Sequence, residues 1–142
     1  MTDLNRFIDA QDGYGFLNIL EELRLGQKIG HWMWFVFPQI KGLGTSFKSQ
    51  FYGINSLVEA KAYWEHPILG CRLQECLRAV LASEKSVFHI FGPIDELKLG
   101  SCITLFIEVV NDHPVLYKIL EDLLNGQLDQ RTINLIDQLK LD

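Results

Sequence analysis

Apolar residues recur three and four positions apart along the whole 142-residue chain, between residues that typically begin and end helices. The apolar positions of residues 16–23 have this spacing, and the pattern stops at Gly26, the kind of residue that commonly follows a helix end. The alternation of apolar and polar residues that is typical of strands is scarce. The pattern therefore predicts an all-α protein.

Local start and stop signals place two of these helices in the middle of the chain. Ser56 followed by Glu59 has the form of a capping box and predicts a helix that ends near His66, because Pro67 comes next. Pro67 can itself take the first position of the following helix. The core stripe predicted for that second helix consists of Leu69, Leu73, Cys76, Leu77 and Val80.

Three further starts are predicted in the second half of the chain. Asp95 is a candidate cap for a helix that includes residues 103–110, although the β-branched residues of that stretch also fit a strand. Length and the preceding cap favour the helix. Asp112 and Pro114 predict another start, and Asp129 predicts the last one.

Length and composition favour one globular domain over residues 1–142. Apolar residues make up 48% and charged residues 22% of the chain, which is typical of globular proteins. The connections are short, with no low-complexity linker, which predicts a single compact multihelical domain. The polar, acidic start of the chain does not resemble a signal peptide, and no apolar run approaches the ~20 residues of a membrane span. We therefore expect a soluble cytoplasmic protein.

Charge and cysteine content indicate which kinds of ligand and cross-link are not expected. The formal net charge is −5, from 13 basic and 18 acidic residues spread along the chain, so broad attraction to nucleic acid is not expected. Cys71, Cys76 and Cys102 form no CxxC pair and are expected to be reduced thiols. No metal-ligand spacing or nucleotide loop occurs, so the sequence predicts no metal and no cofactor, and it leaves the oligomeric state open.

The segment of residues 28–46, KIGHWMWFVFPQIKGLGTS, differs from the rest of the chain. Trp32 and Trp34 lie between His31 and the FPQ motif that ends in Gln39. Buried indole N–H groups and amides need hydrogen-bond partners. A segment that served only as hydrophobic core would therefore lose stability by burying them. One interpretation makes these aromatics core residues and His31 a cap. The other makes them the wall of a pocket, in which a flat ligand stacks and its polar edge meets Gln39.

A second candidate surface comes from a predicted helix. Lys98, Ser101 and Thr104 are three positions apart, so they share one helical face and can present an ammonium and two hydroxyls to a phosphate or carboxylate. Arg72 and Gln39 are available to converge on the same ligand. Alternatively, Lys98 is solvated and the hydroxyls bond back to their own helix. The leading hypothesis is a pocket for a small anionic or nucleotide-like ligand between this face and the HWMWF and FPQ motifs.

The motifs themselves resemble those of a known family. HWMWF at 31–35, FPQ at 37–39 and GLG at 42–44 are similar to the signature of a bacterial domain-of-unknown-function family, number 1810, sometimes mislabelled calpastatin. The similarity extends to Thr132 and so covers nearly the whole chain. At 101–104 this chain reads SCIT where the family usually reads SSMT. The resemblance implies an all-helical fold, but no established activity and no known cofactor.

Two other functions stay open at this point. The aromatics of the segment could instead form an exposed patch that docks another protein. The order Ser56, Glu59 and Tyr63 is faintly similar to the helix that carries the catalytic glutamate in the NADAR family of N-glycosidases. That resemblance implies that Glu59 assists glycosidic cleavage. His31 is a candidate general base, since histidine titrates near neutral pH.

Overall fold

The computed structural model describes residues 3–141, and within this range the chain forms nine helices and no strand. One parallel backbone bridge joins Ile40 and Ile54. The all-α class predicted from the sequence is confirmed. The helices are α1 (Asn5–Tyr14), α2 (Phe16–Arg24), α3 (Met33–Val36), α4 (Phe47–Phe51), α5 (Leu57–Glu65), α6 (Leu69–Ala82), α7 (Val87–Val110), α8 (Pro114–Leu123) and α9 (Gln130–Leu141).

The caps predicted for α5 and α9 are confirmed. Ser56 Oγ accepts a hydrogen bond from the backbone N–H of Glu59 at 3.0 Å and so begins α5. Asp129 Oδ2 accepts from the backbone N–H of Thr132 at 2.9 Å at the start of α9. The five residues of the predicted α6 stripe are all buried. Short-range side-chain capping therefore determines where these helices begin.

The prediction that Asp95 caps a helix is wrong. Helix α7 begins nine residues earlier, where Ser86 Oγ accepts from the backbone N–H of His89. It is interrupted at Gly92, whose φ of 82° is left-handed, and it resumes at Pro93. Asp95 is thus in the first turn after the break, where a carboxylate is favourable but is not the cap. Residues 103–110 are helical, which removes the strand alternative.

The capping residue of helix α8 differs from the one that the sequence indicated. The N-cap is His113, not Asp112, and His113 Nδ1 accepts from the backbone N–H of Val115 at 3.2 Å. Pro114 takes the first helical position, as expected.

The long helix α7 runs through the core and packs against α5, α8 and α9. The largest fully buried side chains include Trp32, Tyr63 and, on α7 itself, Phe106. The rings of Tyr63 and Phe106 have centroids 5.7 Å apart, and those of Phe37 and Phe91 meet edge to face at the same distance. Packing of this kind fixes the aromatic segment against α7. Among the helices of residues 3–141, none combines the length and apolar character of a membrane span.

Candidate functional site

Two neighbouring cavities lie between the aromatic segment and the part of α7 that follows the break. The larger, of about 360 Å³, we call the Gln39 cavity; its polar and aromatic lining consists of Trp34, Gln39, Lys98, Ser101, Asp129 and Arg131. The smaller, of about 200 Å³, we call the lysine cavity; its lining includes Lys28, His31, Trp34, Lys48, Asp95 and Lys98. Trp34 and Lys98 belong to both, so the two cavities share a wall.

The two tryptophans of the HWMWF motif have different surroundings. Trp32 is fully buried, and its indole Nε1 donates to Glu22 Oε1 at 3.0 Å, so it is a core residue. Trp34 is half-buried and lines both cavities. Lys98 Nζ lies 4.4 Å from the centre of a Trp34 ring, within the range of a cation–π contact. The other residues of 32–37 are buried, so this segment does not form an exposed aromatic patch.

Glu22 on α2 holds the start of the segment in place. Its carboxylate accepts hydrogen bonds from Tyr14 Oη, from Trp32 Nε1 and from the backbone N–H groups of Ile29 and Gly30. Burial by itself raises the pKa of the Glu22 carboxyl, but these hydrogen bonds outweigh it and the net pKa is lowered. The sequence gives no signal for this role, since Glu22 lies in an ordinary amphipathic helix.

Gln39 is the buried polar residue of the larger cavity. Its backbone is fixed, because its carbonyl oxygen accepts from the N–H of Ile54 at 2.8 Å. The residue is only 3% exposed, and its side-chain Nε2 has no hydrogen-bond partner within residues 3–141. Leaving a buried amide donor unpaired costs about 1–3 kcal/mol. An acceptor on a ligand in the cavity would satisfy this donor.

The Lys98, Ser101 and Thr104 face is only partly available to a ligand. Lys98 and Ser101 line the Gln39 cavity, but Thr104 is buried behind it. Thr104 Oγ1 accepts from the backbone N–H of Asp129 at 2.8 Å. Ser101 Oγ lies 3.2 Å from both Leu97 O and Asp129 Oδ2. Thr104 therefore positions Asp129, which the sequence did not indicate as a residue of this cavity.

Positive charge surrounds one carboxylate in the lysine cavity. Asp95 Oδ2 lies 2.8 Å from Lys28 Nζ, and Asp95 Oδ1 lies 3.1 Å from Lys98 Nζ. Burial raises the pKa of Asp95, but hydrogen bonds and attraction from the two ammonium groups lower it, and the net pKa is lowered. Lys48 and His31 complete the rim. Three lysines against one aspartate make this cavity basic within a chain of net charge −5.

Two of the residues selected from the sequence lie elsewhere. Arg72 on α6 pairs with Asp12 at 2.9 Å and donates to Gln11 Oε1 at 3.2 Å, so it faces α1 and lines neither cavity. Glu59 is buried, and its carboxylate pairs with Arg6 at 2.9 Å. Neither cavity includes Glu59. His31 is exposed at the lysine cavity, so the two candidate catalytic residues are not brought together.

Arg131 is a residue of the larger cavity that the sequence did not indicate. It follows the cap of α9, and its Nη2 donates to Leu43 O at 2.6 Å. This contact joins positions 88 residues apart, so no local pattern could have shown it. Within residues 3–141, no group of three His, Cys, Asp or Glu side chains is arranged to hold a metal ion.

Comparison with known proteins identifies relatives without an assigned activity. A family model described as "Protein of unknown function (DUF1810)" matches residues 1–136. The chain is similar to a solved structure, the conserved hypothetical protein Rv1873 from Mycobacterium tuberculosis. The two are 46% identical, with 95% of this chain and 96% of the other covered and a TM-score of 0.92. A search of curated proteins gives no match.

Proposed function

Since this chain belongs to the DUF1810 family of proteins of unknown function, we propose from its own geometry that it binds a small anionic ligand in the Gln39 cavity. The observation that carries the proposal is that Gln39, whose buried amide nitrogen has no partner within residues 3–141, belongs to the lining of a cavity. The cavity volume of about 360 Å³ lies within the range of about 300–1,000 Å³ that small-molecule sites occupy.

The charges around the Gln39 cavity support an anion. Lys98 and Arg131 bring two cationic groups to its lining. Asp129 is the one acidic residue of the lining, and its Oδ2 is already occupied by Ser101 and by Thr132. A ligand with carboxylate, phosphate or carbonyl oxygens would meet both cations and the Gln39 amide donor. Trp34 offers ring surface to an apolar, flat part of the same ligand.

The contacts favour ligand binding over the two alternatives raised by the sequence. A docking patch formed by the HWMWF aromatics needs exposed rings, but Trp32 and Phe35 are buried. An N-glycosidase needs an available carboxylate beside the sugar. The Glu59 carboxylate instead pairs with Arg6 and accepts from the backbone N–H of Asn55.

Thermal unfolding in the presence of candidate ligands tests the proposal. The panel contains nucleosides, nucleoside monophosphates, sugar phosphates and aromatic carboxylates. A ligand at a hundredfold its Kd should stabilise the protein by about 2.7 kcal/mol and raise Tm by roughly 10 °C. Lys98→Met should abolish most of this shift, whereas Lys118→Met, which changes an exposed lysine of α8, should not. A panel in which no compound shifts Tm would contradict the proposal.

Gln39→Met separates a binding role from a structural role of the amide. Methionine has nearly the same length but no donor to desolvate, so the ligand-free variant should be more stable than wild type by about 1 kcal/mol. It should also lose the ligand-induced shift in Tm. A loss of stability in the ligand-free variant would mean that the amide already has a partner in the folded protein, and the proposal would fail.

A further inference from the structure

The lysine cavity adjoins the Gln39 cavity across a shared wall. Trp34 and Lys98 line both, and the Lys98 ammonium lies over Trp34 while it also reaches Asp95. The lysine cavity, of about 200 Å³, is smaller than the range of about 300–1,000 Å³ for small-molecule sites, and the Gln39 cavity, of about 360 Å³, is near its lower end. A single ligand that passes along Lys98 would use both.

The two cavities differ in the chemistry of their walls. The Gln39 cavity combines the amide of Gln39 with apolar surface from Trp34, Leu43 and Leu97, which suits a flat heterocycle with polar edge atoms. The lysine cavity has little apolar surface beyond Trp34 and Met33, and its other lining residues are polar or charged. The Gln39 cavity therefore favours an aromatic ring of the ligand, and the lysine cavity favours a charged group.

The lysines of the smaller cavity keep donors free for a ligand. An ammonium group has three N–H donors. Lys28 uses one for Gly30 O at 2.6 Å and one for Asp95, and Lys98 uses one for Asp95. Lys28 is held in a fixed position, since its side chain is only 8% exposed. One lysine would suffice to neutralise Asp95, so three lysines leave two positive charges for an anion of more than one negative charge.

We infer that the lysine cavity is the phosphate-binding end of the same site, so that the ligand is a phosphorylated aromatic compound of the nucleoside monophosphate class. This inference rests on the proposed function of the Gln39 cavity. The phosphate lies among Lys28, Lys48 and Lys98, and the base lies between Trp34 and Gln39. Lysine suits this role because its compact ammonium group is a common phosphate ligand.

Isothermal titration of the full chain with matched pairs tests the inference. Each of the four common nucleosides is compared with its 5′-monophosphate, at constant ionic strength. The inference expects a monophosphate to bind at least about tenfold more tightly than its nucleoside, the effect of one or more charge-assisted hydrogen bonds. Equal affinity of nucleoside and monophosphate would overturn it.

Lys48→Met is the matching variant, because Lys48 is exposed and its loss leaves the Lys28, Asp95 and Lys98 contacts in place. It should weaken the monophosphate about tenfold and leave the nucleoside unchanged, whereas Lys118→Met should change neither. Gln39→Met should weaken both. A Lys48→Met effect of the same size on the nucleoside would contradict a phosphate role.

The outcomes separate this inference from the proposed function. If nucleosides bind through Gln39 and phosphate adds no affinity, the inference fails and the proposed function stands. If aromatic carboxylates bind but no monophosphate does, the inference again fails and the proposed function again stands. If no member of either panel binds, both fail.

Discussion

The carboxylate of Glu22 on α2 accepts four hydrogen bonds, three from the beginning of the aromatic segment and one from the end of α1. Two come from the backbone at Ile29 and Gly30, and two from the side chains of Tyr14 and Trp32. Gly30 is tightly packed, because a Cβ at this position would overlap the Tyr14 hydroxyl. The orientation of Trp32, and with it that of the neighbouring Trp34, therefore depends on one acidic side chain.

Glu22→Gln should make the protein less stable at neutral pH. We expect the free energy of unfolding at pH 7 to fall by about 2–3 kcal/mol, because the amide oxygen accepts without the carboxylate charge and the amide nitrogen, a donor, cannot accept from Tyr14. The folded-state pKa of Glu22 lies below its usual value of 4.5, so its stabilisation is complete above pH 4.5 and is lost as pH falls through the folded-state pKa.

Urea unfolding of both proteins between pH 3 and pH 7 measures this effect. The stability difference between wild type and Glu22→Gln should shrink below pH 4.5. Glu21→Gln is the matched control, since Glu21 is the exposed neighbour in the same helix. A difference that stays constant over the whole pH range would contradict a charged role for Glu22.

The sequence selected several residues that share one cavity, and missed others for identifiable reasons. Gln39 and Ser101 could be selected because a buried amide and a hydroxyl at helical spacing are local signals. Thr104 and Trp32 are buried and do not line the cavity. The residue type alone does not show whether a side chain lines a cavity or packs in the core beside it. Arg72 lies elsewhere because its partners are on α1, a helix that the apolar pattern does not indicate.

At the scale of the element, the junction of α5 and α6 depends on one glycine. A Cβ at Gly70, in the first turn of α6, would overlap the backbone carbonyl oxygen of Trp64 near the end of α5. Backbone atoms cannot move aside as the end of a side chain can. The two helices can meet this closely only without a side chain at this position.

Gly70→Ala should therefore destabilise the fold by about 1–3 kcal/mol, the usual range for overpacking. Gly100→Ala is its control in α7, where an added Cβ meets no other residue within 4 Å. It should stabilise the protein by roughly 0.5–1 kcal/mol, because alanine is the better helix former. Chemical denaturation of both variants measures the two effects. Equal behaviour would mean that α5 and α6 do not meet through Gly70.

A local side-chain cap allowed some helix starts to be predicted, although Ser86 and His113, which also cap their helices, were not selected. Ser56 and Asp129 are such caps, which is why α5 and α9 begin as predicted. Asp95 has the right residue type, but the backbone breaks at Gly92 and the helix resumes before Asp95 is reached. Helix α1 buries only Phe7 and Gln11, and this is too narrow a stripe for periodicity to reveal.

At the scale of the whole molecule, two of the three cysteines report global unfolding. Cys76 and Cys102 are buried, and burial raises the pKa of both thiols. Cys71 is exposed. Since the thiolate is the reactive form, the two buried thiols are protected both by access and by protonation.

A thiol-specific chromogenic disulfide should therefore react quickly with one thiol in the native protein and with three in denaturant. Cys71→Ser should remove the fast phase and leave two slow thiols, whose rate follows the unfolding of the core. The measurement is absorbance with time at several urea concentrations. Rapid reaction of a second thiol in the native Cys71→Ser variant would contradict the burial of Cys76 and Cys102.

The bridge between Ile40 and Ile54 fixes the backbone beside Gln39, the residue proposed to bind the ligand, independently of the residues that follow. Lys41 N donates to Ile54 O at 2.9 Å, and Ile54 N donates to Gln39 O at 2.8 Å. The two ends of the excursion formed by residues 41–53 are therefore held side by side. This excursion contains α4 and brings Leu43 and Lys48 to the two cavities. An insertion within it would displace these two residues while the backbone of Gln39 keeps its place, so the two ends of the site can be perturbed separately.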